Sequence, residues 1–241
     1  MLPRFVLLTG KRKRSKKIPE AIGPEGYDII VFQEAFHSRT RKILWDRLSE
    51  DYPYEYGPAN NKKTPVVTNS GIWVLSKIPL LELGTIDFKK CHLDDCFARK
   101  GALLLEGQWG ENSFQILGTH LEAGPNKVKS TQYPEIAQLL DRHQKEGVPQ
   151  FLCGDFNTSS FDTAQYQEML NVLEAENGEL LSIHQSTVRD GQDEIDYILL
   201  RNDPDSKVNM DRFIRIFHNQ WKDEKYWLSD HHALEAIVTF N

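Results

Sequence analysis

One stretch of eight residues decides the fold: Gln150-Phe151-Leu152-Cys153-Gly154-Asp155-Phe156-Asn157. Its first four residues form a short apolar run of the kind that builds a buried strand. Asp155 and Asn157 follow that run, and their spacing puts both side chains on one face if the chain stays extended. An Asx turn is the alternative, because Gly, Asp and Asn all favour turns.

The same combination of an apolar run and a polar cluster recurs along the chain. Gln33-Glu34 and Gly118-Thr119-His120 follow such runs, and Ser229-Asp230-His231-His232 precedes one. We expect the strands to deliver a carboxylate, a histidine, an Asp/Asn pair and an Asp-His pair to one sheet edge. This set of side chains is typical of metal-assisted cleavage of a phosphate ester.

Strand-like runs outnumber helical patterns, and most are joined by loops too short for crossover helices. We predict strands at residues 27–32, 71–76, 80–88, 101–107, 113–118, 150–153, 195–200, 213–217 and 236–240. We predict helices at residues 40–48, 129–145 and 163–173, with Pro134 tolerated only near a helix start. The pattern favours an α+β fold of mixed or antiparallel sheets with helices outside.

Composition limits the possible partners. The chain has 241 residues, and no linker or repeat divides it, so we predict one domain over residues 1–241. The net charge is −6 although residues 11–17 are almost all Lys or Arg, which leaves the rest strongly acidic. Nucleic acid is therefore a less suitable partner than a substrate with one or two phosphates. No apolar stretch is long enough to span a membrane, so we expect the chain as given to be soluble.

The chain has three cysteines, Cys91, Cys96 and Cys153. They form no even framework and show no zinc-type spacing, which favours reduced, structural thiols. A Cys91–Cys96 bridge in an exported protein is the alternative.

Several of the polar residues have candidate roles. Glu34 ends an apolar strand, where a hard divalent ion such as Mg²⁺ would offset the cost of a lone carboxylate; a strand-end ion pair is the alternative. His120 is a candidate donor to a phosphoryl oxygen, or else a satisfied core histidine. Asp155 is a candidate for orienting or deprotonating water, and Asn157 for holding the phosphate.

Asp196 lies inside an apolar strand, and such a carboxylate can hold an imidazole in one tautomer. His231 is the available imidazole, so the pair is a candidate general base. Asp230 would then approach the metal. His232 points to the opposite face of an extended chain, so we expect it to pack structurally.

In order and spacing these clusters resemble those of the endonuclease/exonuclease/phosphatase superfamily over nearly the whole chain. The resemblance implies a four-layer α/β/β/α sandwich of two mixed, largely antiparallel sheets. It also implies in-line attack of water on phosphorus that depends on Mg²⁺ or Mn²⁺. Glu34 would be a metal ligand and the Asp196–His231 pair the general base.

Within the superfamily, three segments are similar to neutral sphingomyelinases: residues 31–36, 52–54 and 94–102. The last resembles a segment whose aspartate and lysine, five residues apart, are thought to govern activity; here they are Asp95 and Lys100. Lys100 would neutralise a phosphodiester oxygen, and a loop salt bridge with Asp95 is the alternative. The resemblance implies a phosphodiesterase that splits sphingomyelin into ceramide and phosphocholine.

Two features depart from the family pattern. Members begin with a strand bearing a metal-binding asparagine, whereas this sequence starts at Met1-Leu2-Pro3, so we expect that strand, and any export signal, to be missing. Secreted members carry a long aromatic hairpin, whereas residues 218–228 are short. Trp221 and Trp227 are still candidates for a lipid interface, with core packing as the alternative.

The basic run Lys11–Lys17, expected in a loop, is a further candidate for peripheral membrane contact. A solvated loop or an import-like signal is the alternative, and localisation stays open between a peripheral membrane and a secreted protein. We expect a monomer. Two other functions would use this scaffold: a nuclease or phosphoinositide phosphatase, and an impaired module that binds membrane or protein.

Overall fold

A computed structural model of the chain describes residues 10–60, 68–189, 191–201, 208–218, 220–222 and 226–241. These residues form four α-helices: α1 (Lys11–Ile22), α2 (Ser38–Leu48), α3 (Asn126–His143) and α4 (Thr163–Leu173). They also form fourteen strands: β1 (Ile29–Phe32), β2 (Tyr54–Tyr56), β3 (Trp73–Ser76), β4 (Leu81–Asp87), β5 (Gly101–Trp109), β6 (Asn112–His120), β7 (Gln150–Asp155), β8 (Glu176–Asn177), β9 (Glu179–Leu180), β10 (Asp196–Arg201), β11 (Val208–Arg215), β12 (Gln220–Lys222), β13 (Tyr226–Trp227) and β14 (Ala233–Phe240). A short 3₁₀ helix spans Leu93–Phe97.

The largest sheet has six strands in the order β4-β5-β6-β7-β10-β8. Within it β6 and β7 are parallel and the other neighbours are antiparallel. Two three-stranded sheets, β1-β3-β2 and β14-β11-β9, and the hairpin β12-β13 complete the strands of the described residues. The predicted mixed, largely antiparallel pairing is confirmed.

The side chains of β5 alternate between two hydrophobic cores, as the period of a strand requires. Ala102 and Leu104 pack toward α3 and α4, whereas Leu103 and Leu105 pack toward the two smaller sheets. A third core joins β3 to α1 and α2. Burying one large apolar side chain in such a core contributes about 1.5–3 kcal/mol. The layers are thus helix, sheet, sheet and helix, which confirms the predicted α+β sandwich.

The basic run 11–17 lies in helix α1, so the prediction of a loop there was wrong. Lys and Arg are good helix formers, and the second half of α1 supplies the apolar contacts: Ile18 and Ile22 pack in the third core. The apolar residues occupy only that second half, which is why the sequence shows no helical period over the first.

Helix α3 contains Pro134 in its interior, not near its start as predicted. A proline there removes a helical hydrogen bond and costs about 3 kcal/mol. Its neighbours Tyr133 and Ile136 are fully buried, and that packing offsets the loss.

Residues of β1 and β14 line a cavity of about 760 Å³. Its floor is apolar and includes Ile116 and Phe151 of the large sheet. Strand β1 borders this cavity and is half-buried, which corrects the prediction of a strand buried on both faces.

Among the described residues, no helix is long and apolar enough to cross a membrane. The single domain over residues 1–241 stays a prediction, and the expected missing first strand concerns a part of the chain outside the described residues.

Candidate active site

Three polar residues lie side by side at one edge of the large sheet because of the strand register. His120 ends β6 and pairs with Asp155 at the end of the parallel strand β7. Asp155 in turn pairs with Asp196 at the start of the antiparallel strand β10. His120 and Asp155, each of which follows an apolar run in the sequence, therefore lie next to each other at one edge of the sheet.

His231 joins this row from the segment before β14. Its Nδ1 lies 2.8 Å from Asp196 Oδ2, so the expected pairing of these two side chains is present. The backbone holds His231 in place: it forms a β-bridge with Val188, and the next residue, His232, donates its N–H to the carbonyl oxygen of Thr187 at 2.8 Å. Thr187 Oγ1 accepts the backbone N–H of Asp196, which ties both partners to one segment.

The hydrogen bond to Asp196 is the main reason that the pKa of His231 rises to about 9; burial opposes the rise, and the Asp196 charge adds to it. When Nδ1–H donates to Asp196, Nε2 is the ring atom that can take up a proton. The pair is thus arranged as the orienting carboxylate and imidazole of a general base.

Asp155 is buried beside a second carboxylate. Burial first, and then the charge of Asp196, raise the pKa of Asp155 to about 7. His120 Nε2 lies 3.4 Å from Asp155 Oδ2. Burial lowers the pKa of His120 well below its ordinary value, so this imidazole is neutral and can donate one N–H.

Ligand atoms of Asp155, Asp196 and His231 lie within 4.8 Å of one another. Two neighbouring carboxylates, one of them buried with a raised pKa, would be stabilised by a cation, and oxygen ligands suit Mg²⁺ or Mn²⁺. The predicted ligands Glu34 and Asp230 line the same cavity as these three residues. The described residues therefore fit a hard divalent cation.

Glu34 is held in an unusual backbone conformation. Its φ is 54°, and Ala35 donates its N–H to the carbonyl oxygen of Gly71 at 2.8 Å. Gly71 has no room for a side chain, since a Cβ there would lie 2.9 Å from Glu34 Cα. Strain of this kind, of order 1–3 kcal/mol, is found where a side chain must be aimed at a site.

Asn157 does not continue an extended strand; of the two alternatives that the sequence left open, a face shared with Asp155 and an Asx turn, the structure has the turn. Its φ is 48°, and its N–H donates to Asp155 Oδ1 at 2.9 Å, which makes the Asx turn. The turn forms because Asn tolerates the left-handed region and Asp caps the following N–H. Asn157 Nδ2 donates to the carbonyl oxygen of Leu121 at 2.9 Å.

Lys100 and Asp95 form an ion pair, with Nζ 2.7 Å from Oδ2; Lys100 is buried and Asp95 is half-buried. Burial opposes ionisation of Asp95, but Lys100 and the N–H of Ala123 hold its pKa below the usual value. Lys100 Nζ also donates to the Leu121 carbonyl at 2.7 Å, the same oxygen that Asn157 uses. The Leu121 carbonyl thus links the Lys100–Asp95 pair to Asn157, the candidate for holding the phosphate. Neither Lys100 nor Asp95 lines the cavity beside His231.

Sequence reasoning missed Glu122, a buried carboxylate two residues after His120. Burial, and then its hydrogen bond with Asp95, raise the pKa of Glu122. Glu122 accepts the N–H of His92 at 2.8 Å, which anchors the segment carrying Asp95. A carboxylate directly after the strand that ends in His120 is the sequence pattern that could have identified Glu122.

Cys91 and Cys96 form a disulfide around Asp95, so the expectation of reduced thiols was wrong for this pair. Their Cα atoms lie 5.2 Å apart, within the usual range, because the 3₁₀ helix turns the chain back on itself. Cys153 is a free thiol, and burial raises its pKa to about 12.

The candidates for membrane contact are only partly described. The Arg189 guanidinium lies over the Trp227 ring at 4.2 Å, and Trp221 belongs to β12. In α1, Arg14 donates to the carbonyl oxygen of Leu228 at 3.3 Å. The roles of these residues, like those of His120, His231 and the other site residues, stay predictions.

A model of the Endonuclease/Exonuclease/phosphatase family matches residues 7–231. Sphingomyelinase C 2 from Leptospira interrogans is 28% identical over 192 residues, which is 71% of this chain and 30% of the relative. A phospholipase C from Staphylococcus aureus is 23% identical over 74% of this chain and 59% of its own. The chain spans about a third of the length of the Leptospira relatives it matches.

Solved structures share the fold. A beta toxin variant from Staphylococcus aureus with bound magnesium ions superposes with a TM-score of 0.82 at 19% identity, covering 94% of this chain and 92% of that chain. Sphingomyelinase C from Streptomyces griseocarneus superposes with a TM-score of 0.80 at 20% identity, covering 96% and 92%.

Proposed function

Because the chain belongs to the Endonuclease/Exonuclease/phosphatase family, we propose that it is a metal-dependent phosphodiesterase that hydrolyses sphingomyelin to ceramide and phosphocholine. The observation that carries the proposal is the His231–Asp196 hydrogen bond, placed directly beside Asp155 and His120 at one sheet edge. The similarity to proteins named sphingomyelinase C and phospholipase C supports the choice of a phospholipid substrate.

Each side chain has one task in this reaction. His231 Nε2 takes the proton of the attacking water while Asp196 holds the ring and stabilises the imidazolium. Neutral His120 donates to a phosphoryl oxygen, where negative charge grows in the transition state. Asn157 would hold the phosphate and Lys100 would neutralise a phosphodiester oxygen, in place of the bonds that both side chains donate to the Leu121 carbonyl.

Glu34, Asp230 and Asp155 are the carboxylates that would hold a divalent cation, Mg²⁺ or Mn²⁺. When bound, the cation supplies positive charge that polarises the phosphoryl oxygens and favours the neutral imidazole of His231. Such a cation would also favour the ionised form of Asp155, whose pKa is raised by burial and by the charge of Asp196.

The experiment is release of phosphocholine from sphingomyelin vesicles by the purified chain. We expect release with Mg²⁺ and none with excess EDTA. Folded protein that binds Mg²⁺ but releases no phosphocholine would refute the substrate. Release that EDTA does not change would refute the metal-dependent reaction.

A further inference from the structure

One arginine holds the backbone that leads into His231. Arg189 Nε donates to the carbonyl oxygen of Ser229 at 3.2 Å, and the backbone N–H of Arg189 donates to the carbonyl oxygen of Asp230 at 2.9 Å. Ser229 is in turn bonded to the candidate base, because its Oγ accepts the backbone N–H of His231 at 3.1 Å. Arg189 is therefore linked to His231 through one residue.

The outer end of the Arg189 side chain is bonded as well. Its Nη2 donates to the carbonyl oxygen of Phe217 at 3.2 Å, just after the end of β11. The guanidinium also lies over the ring of Trp227, 4.2 Å from the ring centroid. A planar guanidinium can donate in two directions and stack on an aromatic ring at the same time, which the compact ammonium of lysine does not do. This side chain thus joins the segment before His231 to β13 and to the end of β11.

The segment that carries Arg189 also holds Asp196, the partner of His231. Thr187 is fully buried, and its Oγ1 accepts the backbone N–H of Asp196 at 3.2 Å. Val188, between Thr187 and Arg189, forms the β-bridge with His231. One short segment therefore carries the supports of both members of the pair, and Arg189 is its residue on the His231 side.

A direct bond to the substrate phosphate is the competing role for Arg189. This residue lines the cavity beside His231, as do three other cations: Lys11, Arg14 and Arg215. The hydrogen bonds argue for the first role, because Nε and Nη2 donate to the carbonyl oxygens of Ser229 and Phe217. A cation that binds phosphate as a point charge can be replaced by lysine, whereas a fork between two carbonyl oxygens cannot.

We propose that Arg189 is a positioning residue for His231. By fixing Ser229 it keeps the imidazole on Asp196, so that Nδ1–H stays bonded and Nε2 stays the ring atom that takes up the proton. The role rests on the proposed function, because it concerns the base of that reaction. Loose positioning is costly in catalysis, since a misplacement of about 1 Å can slow the chemical step by about 100-fold.

The first test observes the hydrogen bond itself, in EDTA and without turnover. An imidazole Nδ1–H bonded to a carboxylate should give a far-downfield proton signal in NMR, and its loss in Asp196→Asn identifies it. We expect the signal to disappear by exchange with water in Arg189→Met. The matched control is Arg215→Met, which removes the same charge from the same cavity but takes a partner from Glu235; we expect it to keep the signal.

Arg189→Lys keeps the charge and the long stem, so the test does not depend on Arg189→Met folding. Each variant is first shown to unfold cooperatively in urea. A signal that is absent from the wild type, or that folded Arg189→Lys and Arg189→Met both retain, would overturn the positioning role.

The second test is the rate of phosphocholine release from soluble, short-chain sphingomyelin with Mg²⁺. We expect kcat of Arg189→Met to fall by about 10- to 100-fold with KM unchanged, as for other residues that orient a functional side chain. Arg189→Lys should lose a similar factor, because lysine cannot join both carbonyl oxygens. Recovery of kcat by lysine, or a raised KM in Arg189→Met, would show that Arg189 binds the substrate phosphate instead.

The two proposals fail separately. If the wild type releases no phosphocholine, the proposed function fails, and the Nδ1–H signal still tests Arg189. If the wild type is active and the folded Arg189 variants equal it in signal and in kcat, the role of Arg189 alone is contradicted.

Discussion

Replacing Asp196 by Asn tests the pairing on which the site depends. The hydrogen bond from His231 Nδ1 to Asp196 Oδ2, at 2.8 Å, is the main reason that the pKa of His231 rises from 6.5 to about 9. Asn keeps the shape of the side chain and can accept a hydrogen bond, but it carries no charge. Burial, which lowers the pKa of a histidine, is then opposed only by the weaker effects of the Asp155 and Asp230 charges. We expect the pKa of His231 to fall to about 6.5 or below in Asp196→Asn, close to the reference value for histidine.

The magnitude follows from the same values. A change in pKa from 6.5 to about 9 corresponds to on the order of 3 kcal/mol at about 1.4 kcal/mol per pKa unit. Because the folded pKa is raised, this stability is fully present below pH 6.5 and is lost as the pH rises through about 9. Asp196→Asn should therefore destabilise metal-free protein at pH 6 and have little effect through this pair at pH 10.

The assay is an NMR titration of the histidine ring signals in EDTA, with the His231 signal assigned by its absence in His231→Gln. Urea unfolding at pH 6 and pH 10 gives the free energy of unfolding for the same proteins. Asp211→Asn, which removes an exposed carboxylate of β11, is the matched control for net charge. A His231 pKa that stays near 9 in Asp196→Asn would refute the reasoning, because some other group would then hold the imidazolium.

The remaining predictions concern three other features. Burial raises the pKa of Asp155 to about 7, so its ionised carboxylate destabilises the metal-free protein increasingly from pH 4 to pH 7. Asp155→Asn should therefore raise the melting temperature at pH 8 and leave it unchanged at pH 3. An equal change in melting temperature at both pH values would contradict this. Lys100→Met leaves the half-buried Asp95 without its cation and should cost about 1.5–3 kcal/mol in urea unfolding. The double change with Asp95→Asn should cost less, and equal losses would argue against the pair. Cys91→Ser/Cys96→Ser should lower the free energy of unfolding by about 2 kcal/mol in the same assay, and a chain equally stable with and without reductant would contradict that value.

The sequence was most informative where an apolar run and a polar cluster are adjacent. Such runs become neighbouring strands, and strand register then decides which polar side chains meet. That is why His120, Asp155 and Asp196 could be expected at one edge. The pairing of His231 with Asp196 followed from chemistry, since one carboxylate within a strand needed a partner.

The features that the sequence did not reveal depend on contacts between distant segments. The interior Pro134 is tolerated because α3 is packed against the sheet, and α1 forms from a basic run because its second half packs against α2. The Asn157 turn was an open alternative that local spacing could not decide. The link from Lys100 to Asn157 uses the backbone oxygen of Leu121, an atom that no side-chain pattern encodes.

The central role of His231 is tested most directly by comparing His231→Gln with the wild type. The measurement is the rate of Mg²⁺-dependent phosphocholine release. Both proteins are first matched by melting temperature and by vesicle binding in EDTA. We predict that the wild type releases phosphocholine and that His231→Gln is slower by about 100-fold or more, because the general base is gone. Equal rates for the two proteins would contradict the assignment of His231 as the base.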